Sequence, residues 1–255
     1  MQKINKKGVK RYQAIFFDFG GTLMDAESDN VTHLQMMKDI IQKYNLPACP
    51  EDLVDKYNSF LFTKEMTLLD GDPEDESFIP LGESTKKAFA GILSQYNIHP
   101  SLEDYRWFKE IYFENHQKYI KLFPETWEII RYLRNHHRPL HLGIISDIDN
   151  DYMEFQFNIL GISSLFDSIT TSEEVQSYKP EAKIFQVALN KAGCRGEKSI
   201  MVGDSYKRDI AGGKNVGMTT IWINKFNLDN PDTEKADFIV IHLKDILPIL
   251  DELIK

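Results

Sequence analysis

An aspartate and a glycine pair stand where a parallel sheet would place a catalytic site. Asp18 follows an apolar run, Ala14–Phe17, and precedes Gly20 and Gly21. A carboxylate at the carboxyl end of a buried parallel strand lies where open α/β sheets bind ligands, and a glycine turn can direct backbone N–H groups at an anion. Taken alone, Asp18 could equally cap the following turn.

Two more aspartates follow another apolar run. Asp204 comes shortly after Ser199–Val202, and Asp209 lies five residues further along. If the two strands are neighbours, Asp18 and Asp204 face one crevice, and the repulsion between their charges implies a cation between them. A site made only of oxygen ligands fits Mg²⁺. Asp209 could also be favoured at a helix N-terminus by the helix dipole.

Two further loops carry groups that could bind phosphate. Ser146 ends a third apolar run, and its hydroxyl could donate to a phosphoryl oxygen. Lys179 lies in a loop after another run and could neutralise both a carboxylate and a phosphate. Taken singly, Ser146 is typical of a turn and Lys179 of a solvated side chain. Pro180 is suited to the first position of the next helix.

The elements that must position these residues alternate between strands and helices. Segments with helical spacing separate several short apolar runs, which is typical of a parallel sheet covered by helices. The runs that predict buried strands are Ala14–Phe17, Leu140–Ile145, Ser168–Thr170, Ser199–Val202, Thr219–Ile223 and Phe238–Ile241.

A long insert separates the first two strands. The gap of about 120 residues far exceeds what a crossover connection needs, and it carries helical periodicity without a comparable strand pattern. Its acidic stretch over residues 70–77 indicates a solvated loop. The predicted fold class is therefore α/β: a doubly wound, Rossmann-like core over residues 12–26 and 122–255, with an all-helical cap domain over residues 27–121.

Composition narrows the classes of partner. The 255 residues carry 30 Lys+Arg against 39 Asp+Glu, a net charge of −9, which argues against nucleic acid. No apolar run approaches the roughly 18 to 20 residues that span a bilayer, so we expect no membrane partner and a cytoplasmic location. Cys49 and Cys194 are too few for a disulfide framework and are expected to be reduced core thiols. The sequence contains neither a P-loop nor a GxGxxG motif.

Taken together, the four loops resemble the haloacid dehalogenase-like (HAD) hydrolase superfamily. The resemblance covers residues from about 12 to 255, and the helical insert resembles the mobile cap that one branch of the superfamily carries at this point. The motifs behind it, each after a predicted strand and in this order, are Asp18-x-x-Gly21-Thr22-Leu23, Ser146, Lys179-Pro180 and Gly203-Asp204-Ser205-x-x-x-Asp209.

The resemblance implies a magnesium-dependent phosphatase that acts on a small phosphorylated metabolite. Asp18 would attack phosphorus and form an aspartyl-phosphate, which water then hydrolyses, with Ser146 and Lys179 also catalytic. Asp18, Asp204 and the main-chain carbonyl of Gly20 would hold the metal, with Asp209 steadying water bound to it. The implied phosphate-binding residues are Gly21, Thr22, Ser146, Asp147 and Lys179.

One departure from the superfamily pattern affects the chemistry. Most of its phosphatases carry a second Asp two residues after the nucleophile as general acid and base, and here that residue is Gly20. Such catalysis typically accelerates the reaction by about 10²–10⁴-fold. Its loss should therefore slow the hydrolysis of substrates with alkoxide leaving groups more than the hydrolysis of aryl or acyl phosphates. Asp25, Asp147 and His33 are candidates for a replacement acid. Asp25 and Asp147 could instead be turn or cap residues, and His33 an exposed position on the first cap helix.

Other activities stay open beside a phosphatase limited to good leaving groups. Dehalogenases also lack the second Asp, but displacement at carbon does not need the magnesium ligands Asp204 and Asp209. A phosphonatase needs a cap lysine. The insert contains lysines such as Lys38, Lys56 and Lys64, and nothing distinguishes one of them. A third alternative is a phosphate-binding or interaction protein with little turnover. The oligomeric state is open.

A second, milder departure lies beside Ser146. Asp147 stands where the superfamily commonly has Asn. Its negative charge would weaken phosphate binding unless it is paired or protonated.

Overall fold

The computed structural model describes residues 12–61, 78–136, 139–228 and 236–255. The stretch expected to form an acidic loop, residues 70–77, and the cap lysine Lys64 lie outside these ranges. The strands are β1 Ala14–Phe17, β2 His141–Ser146, β3 Ser168–Thr171, β4 Ser199–Gly203, β5 Thr219–Ile223 and β6 Phe238–Val240. The α-helices are α1 Ala26–Tyr44, α2 Pro50–Leu61, α3 Leu81–Ser94, α4 Leu102–Tyr119, α5 Pro124–Arg134, α6 Asn150–Leu160, α7 Ser172–Val175, α8 Ala182–Lys191, α9 Gly212–Asn215 and α10 Ile246–Leu253.

The six strands form one parallel sheet in the order β3-β2-β1-β4-β5-β6. The chain moves outward from β1 through β2 to β3 and then returns to the other side of β1, so the direction of winding reverses between β1 and β4. The predicted α/β, doubly wound fold class is confirmed, and each predicted strand is present with its ends within one residue.

Both faces of the sheet are covered. Ile15 and Phe17 of β1 lie in one apolar core, whereas Ala14 and Phe16 lie in a second core on the opposite face. Because side chains alternate across a strand, a strand buried on both faces reads as an uninterrupted apolar run. This burial explains why β1 could be located from the sequence.

The insert consists of α1 to α4, and its described residues contain no strand. Asp25 caps α1 by accepting a hydrogen bond from the Glu27 N–H at 3.0 Å. At the start of α4, Ser101 and Asp104 form a reciprocal capping box. Phe89 and Phe108 stack in the apolar interior of the insert, with ring centroids 4.4 Å apart.

A core carboxylate anchors the insert. Asp149, in the loop after β2, accepts hydrogen bonds from the N–H groups of Leu81 at 2.8 Å and Gly82 at 2.7 Å. These amides belong to the first turn of α3, where helical N–H groups have no partner within their own helix. Asp149 of the core therefore caps α3 of the insert. The Tyr178 hydroxyl adds a second contact by donating to the carbonyl of Ile79 at 2.7 Å.

Two local predictions are wrong. Cys49 is exposed, because it lies in the connection just before α2. Cys194 is half-buried and packs against the edge of the second apolar core, so the expectation of a core thiol fails fully only for Cys49. Pro180 does not begin a helix, since α8 begins at Ala182. Pro180 lies in the preceding turn, where the backbone N–H of Lys179 is held by Asp147 at 2.9 Å.

Within the described residues, no helix is both long and apolar enough to cross a membrane.

Replacing Asp149 with alanine should destabilise the protein through the insert. The change leaves two N–H groups of α3 without an acceptor, and loss of a helix cap costs about 1–2 kcal/mol. Asp151→Ala is the matched control, because Asp151 pairs with Lys109 at 2.8 Å on an exposed surface, where such pairs contribute about 0–1 kcal/mol. Urea unfolding should show a larger loss in the free energy of unfolding for Asp149→Ala than for Asp151→Ala. Equal losses in the two variants would contradict the role of Asp149 in holding α3 to the core.

Candidate active site

The carboxyl ends of β1, β2 and β4 lie side by side. In the sheet, Phe17 is opposite Ile144 of β2 and Val202 of β4. The Asp18 N–H continues the β1–β4 ladder by donating to the Val202 carbonyl at 2.9 Å. Asp18 follows β1, Ser146 ends β2 and Asp204 follows β4. These three residues therefore meet at the edge of the sheet where the winding reverses.

A buried lysine connects this edge to the loop between α7 and α8. The Lys179 Nζ donates to Asp18 Oδ1 at 2.6 Å and to Asp209 Oδ1 at 2.7 Å, and it also donates to the Ile145 carbonyl at 3.1 Å. Burial alone would lower the pKa of the ammonium, but the charges of Asp18 and Asp209 outweigh it and hold that pKa above its ordinary value. Lys179 is therefore a fixed positive charge next to Asp18.

Three carboxylates lie together at this edge of the sheet. Asp18, Asp204 and Asp209 each offer an oxygen, and these oxygens lie within 4.8 Å of one another. Burial raises the pKa of Asp204 and Asp209, and the charge of Asp18 raises both further. A divalent cation would relieve this repulsion, and a donor set composed only of carboxylate oxygens fits Mg²⁺. The residues present thus fit the expected metal.

Glycines permit the close approach of these side chains. Gly21 has φ +78°, and a Cβ at this position would lie 2.3 Å from Asp204 Oδ2. A Cβ at Gly203 would lie 2.4 Å from the Cβ of Asp209. Any larger residue at either position would displace a carboxylate. Gly20 is different, because a Cβ there would meet only Met24 Cε at 3.9 Å.

A cavity of about 300 Å³ opens between the core and the insert. From the core, it is lined by several residues that the sequence predicts for the site, namely Asp18, Gly20, Gly21, Ser146, Asp147 and Asp204. From the insert, its lining includes Asp29, His33, Tyr57, Thr85 and Tyr112. Thr22, Lys179 and Asp209 are buried and are not part of this lining. The Thr22 hydroxyl instead donates to Asp18 Oδ2 at 3.0 Å and so orients that carboxylate.

Asp147 contacts two cationic residues. Its Oδ1 accepts the Lys179 N–H at 2.9 Å, and its Oδ2, which has no hydrogen-bond partner among the described residues, lies 3.7 Å from Arg208 Nη1. Burial raises the pKa of Asp147 above its ordinary value, and the charges of Lys179 and Arg208 oppose that rise without cancelling it. The extra negative charge beside Ser146 is therefore offset only in part by the two cations.

Sequence reasoning missed two cationic residues of the site. Arg208 lines the cavity, and Lys225 donates to the carbonyl of Gly21 while its Nζ lies 4.2 Å from the centroid of the Phe123 ring. The sequence contains a feature that could have identified each of these two residues. Arg208 immediately precedes Asp209 in the acidic motif, and Lys225 follows β5 at the same edge of the sheet.

The three candidate replacement acids occupy different places. Asp25 caps α1 and is not among the residues that line the cavity. Asp147 is held by Lys179 and Arg208. His33 is half-buried in the cavity wall, so the alternative of an exposed position on the first cap helix is wrong. Its side chain turns inward because α1 packs against α4 across this face.

The sequence model of the haloacid dehalogenase-like hydrolase family matches residues 15–223. The chain belongs to this family. It is 27% identical over 249 residues to a glyceraldehyde 3-phosphate phosphatase of Methanothermobacter thermautotrophicus, covering 92% of this chain and 99% of that protein. It is 25% identical over 243 residues to the pyrophosphatase PpaX of Oceanobacillus iheyensis, covering 94% and 97%. Its fold is similar to that of the HAD hydrolase YfnB from Bacillus subtilis bound to magnesium, with a TM-score of 0.73, 20% identity and coverage of 95% and 100%.

The carboxylate cluster predicts an unusual dependence of stability on pH. Without metal, the pKa of Asp204 is raised to about 6 and that of Asp209 to about 7, against 3.8 ordinarily. A carboxyl with a raised pKa contributes its stability below pH 4 and loses it as the pH rises through its folded-state pKa. In EDTA, Asp204→Asn should therefore raise the melting temperature relative to the native protein more at pH 8 than at pH 5.

Magnesium supplies the control for this melting experiment. At pH 8, Mg²⁺ should raise the melting temperature of the native protein more than that of Asp204→Asn, because the variant lacks one of the three carboxylates whose arrangement fits the ion. If the difference between the two proteins in EDTA were the same at both pH values, the three carboxylates would not repel one another as described.

Proposed function

We propose that this protein is a magnesium-dependent phosphatase that hydrolyses a small phosphorylated metabolite through an aspartyl-phosphate on Asp18. The observation that carries the proposal is the environment of that carboxylate. Asp18 lines the cavity, with Lys179 Nζ 2.6 Å from one oxygen and the Thr22 hydroxyl 3.0 Å from the other. The two relatives named as phosphatases support the reaction class.

The reaction has two displacements at phosphorus. An Asp18 oxygen attacks in line while the bond from phosphorus to the leaving oxygen breaks, and water then attacks the phosphorus of the aspartyl-phosphate to release phosphate and free Asp18. Ser146, which lines the cavity, and the Lys179 ammonium would bind the transferring phosphoryl group. Asp18, Asp204 and the Gly20 carbonyl would hold Mg²⁺, with Asp209 steadying its water, and the ion supplies charge neutralisation at the phosphoryl group.

The residue at position 20 sets the range of leaving groups. Gly20 lies in the cavity wall and offers no proton, so the departing oxygen must leave as an anion or take a proton from water or another group. We therefore propose a preference for leaving groups of low pKa, such as aryl or acyl phosphates.

We propose that residues 27–121 act as a cap that encloses the substrate. In support, the wall of the cavity opposite Asp18 consists of side chains from α1, α2, α3 and α4. Contacts with that wall would select the part of the substrate beyond the phosphoryl group. Closure of the cap over the cavity would exclude water from the reacting centre.

The competing activities have less support. A phosphonatase would need a lysine in the cavity, and neither Lys38 nor Lys56 is part of the described lining. A protein that only binds phosphate would keep Asp204 and Asp209 buried with raised pKa values and draw no catalytic benefit from them. Dehalogenation is tested by chloride release from a 2-chloro acid, and we expect none.

Asp18→Asn should abolish the activity. With 4-nitrophenyl phosphate and Mg²⁺, the variant removes the nucleophile and should lower kcat by at least about 10³-fold. Asp151→Asn, which changes an exposed carboxylate of the core, should retain native kcat. The assignment of Asp18 as the nucleophile would be wrong if Asp18→Asn hydrolysed the substrate at the native rate.

Gly20→Asp should restore the missing acid. The position has room for a side chain, and a positioned general acid accelerates expulsion of an alkoxide by about 10²–10⁴-fold. Hydrolysis of glycerol phosphate should rise accordingly, while hydrolysis of 4-nitrophenyl phosphate changes little. Gly20→Asn is the control, because it has a similar shape and no acidic proton. Equal rates for the Asp and Asn variants on glycerol phosphate would show that another residue already donates the proton.

A further inference from the structure

A second polar cluster faces the cavity from the insert. Asp29 and His33 are four residues apart on α1, so they lie on one face of that helix. His116 lies on α4, which packs against α1. One ligand atom of each of these three residues lies within 4.8 Å of the others.

His116 presents an unpartnered nitrogen to this cluster. The residue is fully buried, and its Nδ1 lies 2.7 Å from the Tyr112 carbonyl. Because a carbonyl only accepts, Nδ1 carries the proton and the neutral ring has its lone pair on Nε2. Nε2 lies 3.4 Å from Asp29 Oδ1, and among the described residues it has no hydrogen-bond partner.

A second orphaned polar atom lies beside the cluster. Tyr57 is fully buried, lines the cavity and packs its ring edge-on to His33, with centroids 5.5 Å apart. Its hydroxyl has no hydrogen-bond partner within the described chain. Buried polar atoms without partners are costly. The two residues that carry them here both pack their rings against His33, which indicates a ligand that the polypeptide does not itself supply.

We propose that Asp29, His33 and His116 bind a divalent transition-metal ion, Zn²⁺, at a site separate from the magnesium ligands. Two imidazoles and one carboxylate are a donor set that Zn²⁺ prefers and Mg²⁺ does not. The 3.4 Å between His116 Nε2 and Asp29 Oδ1 matches two ligands of a tetrahedral ion with bonds of about 2.0–2.1 Å. A ligand atom of His33, which is half-buried, lies within 4.8 Å of both of these atoms.

The surroundings of the cluster agree with this assignment. A proton of His116 Nδ1 held by a backbone carbonyl fixes a ligating histidine in orientation and tautomer. The ion would bind the neutral imidazoles and the ionised carboxylate.

Three protein ligands leave one coordination position open. Asp29 and His33 line the same cavity as Asp18, so the open position is available to water or to a donor atom of the substrate. The ion would thus bind an oxygen or nitrogen of the substrate at the wall of the cavity that the insert forms.

Cobalt substitution tests the site without relying on activity. Protein stripped with EDTA is titrated with Co²⁺ in the presence of saturating Mg²⁺, which occupies the carboxylate cluster of the core. We expect one equivalent to bind with the visible absorption of low-coordinate cobalt, and Zn²⁺ to displace it. His33→Gln and Asp29→Asn should weaken binding by at least about 100-fold, since each removes a direct ligand.

Matched variants assign the signal to its site. His99→Gln changes an exposed histidine of the insert and should bind Co²⁺ as the native protein does, and so should Asp204→Asn. Circular dichroism shows whether each variant is folded, and Zn²⁺ should raise the melting temperature of the native protein but not that of His33→Gln or Asp29→Asn. The proposal is overturned if no stoichiometric Co²⁺ binds, if His99→Gln loses binding equally, or if only Asp204→Asn loses it.

Discussion

The arrangement at the sheet edge depends on one buried ammonium group. Lys179 Nζ contacts Asp18 and Asp209 at 2.6 and 2.7 Å, and without it the carboxylates of Asp18, Asp204 and Asp209 would face one another with no cation of the described residues in direct contact. The interaction also explains why the loop between α7 and α8 enters the site, since the backbone of the same residue is held by Asp147. A buried ion pair of this kind does little for net stability compared with apolar packing, so we interpret it as retained for the site.

The fold brings the carboxylates of the site to one edge of the sheet, and glycines in the local sequence set how closely those carboxylates approach one another. The reversal of winding between β1 and β4 places Asp18 next to Asp204, and glycine at position 21 lets Asp204 approach to a distance that a Cβ would forbid. The insert then closes the opposite side of the cavity and is fastened to the core by Asp149 at the start of α3. We propose that one wall holds the phosphoryl group and the other holds the remainder of the substrate.

Much of the core could be predicted from the sequence, because strands such as β1 are buried on both faces and read as apolar runs, and because parallel strands deliver their following residues to one edge. The environment of single side chains could not. His33 shares one helix with exposed residues, and only the packing of α4 on α1 turns it into the cavity wall. Arg208 and Lys225 contact residues distant in sequence, Asp147 and Gly21, so their places depend on tertiary structure. Cys49 and Pro180 were mispredicted because residue type alone does not fix burial or a helix start.

The most direct test of the account is to trap the covalent intermediate. The enzyme, mixed with Mg²⁺ and an aryl or acyl phosphate, is quenched within one turnover, reduced with borohydride to convert any acyl phosphate to a stable alcohol, and digested for mass spectrometry. The account predicts one modified residue, Asp18, with a yield that rises and falls during the turnover. Modification of a different carboxylate, or turnover with no modified residue at any time, would contradict it.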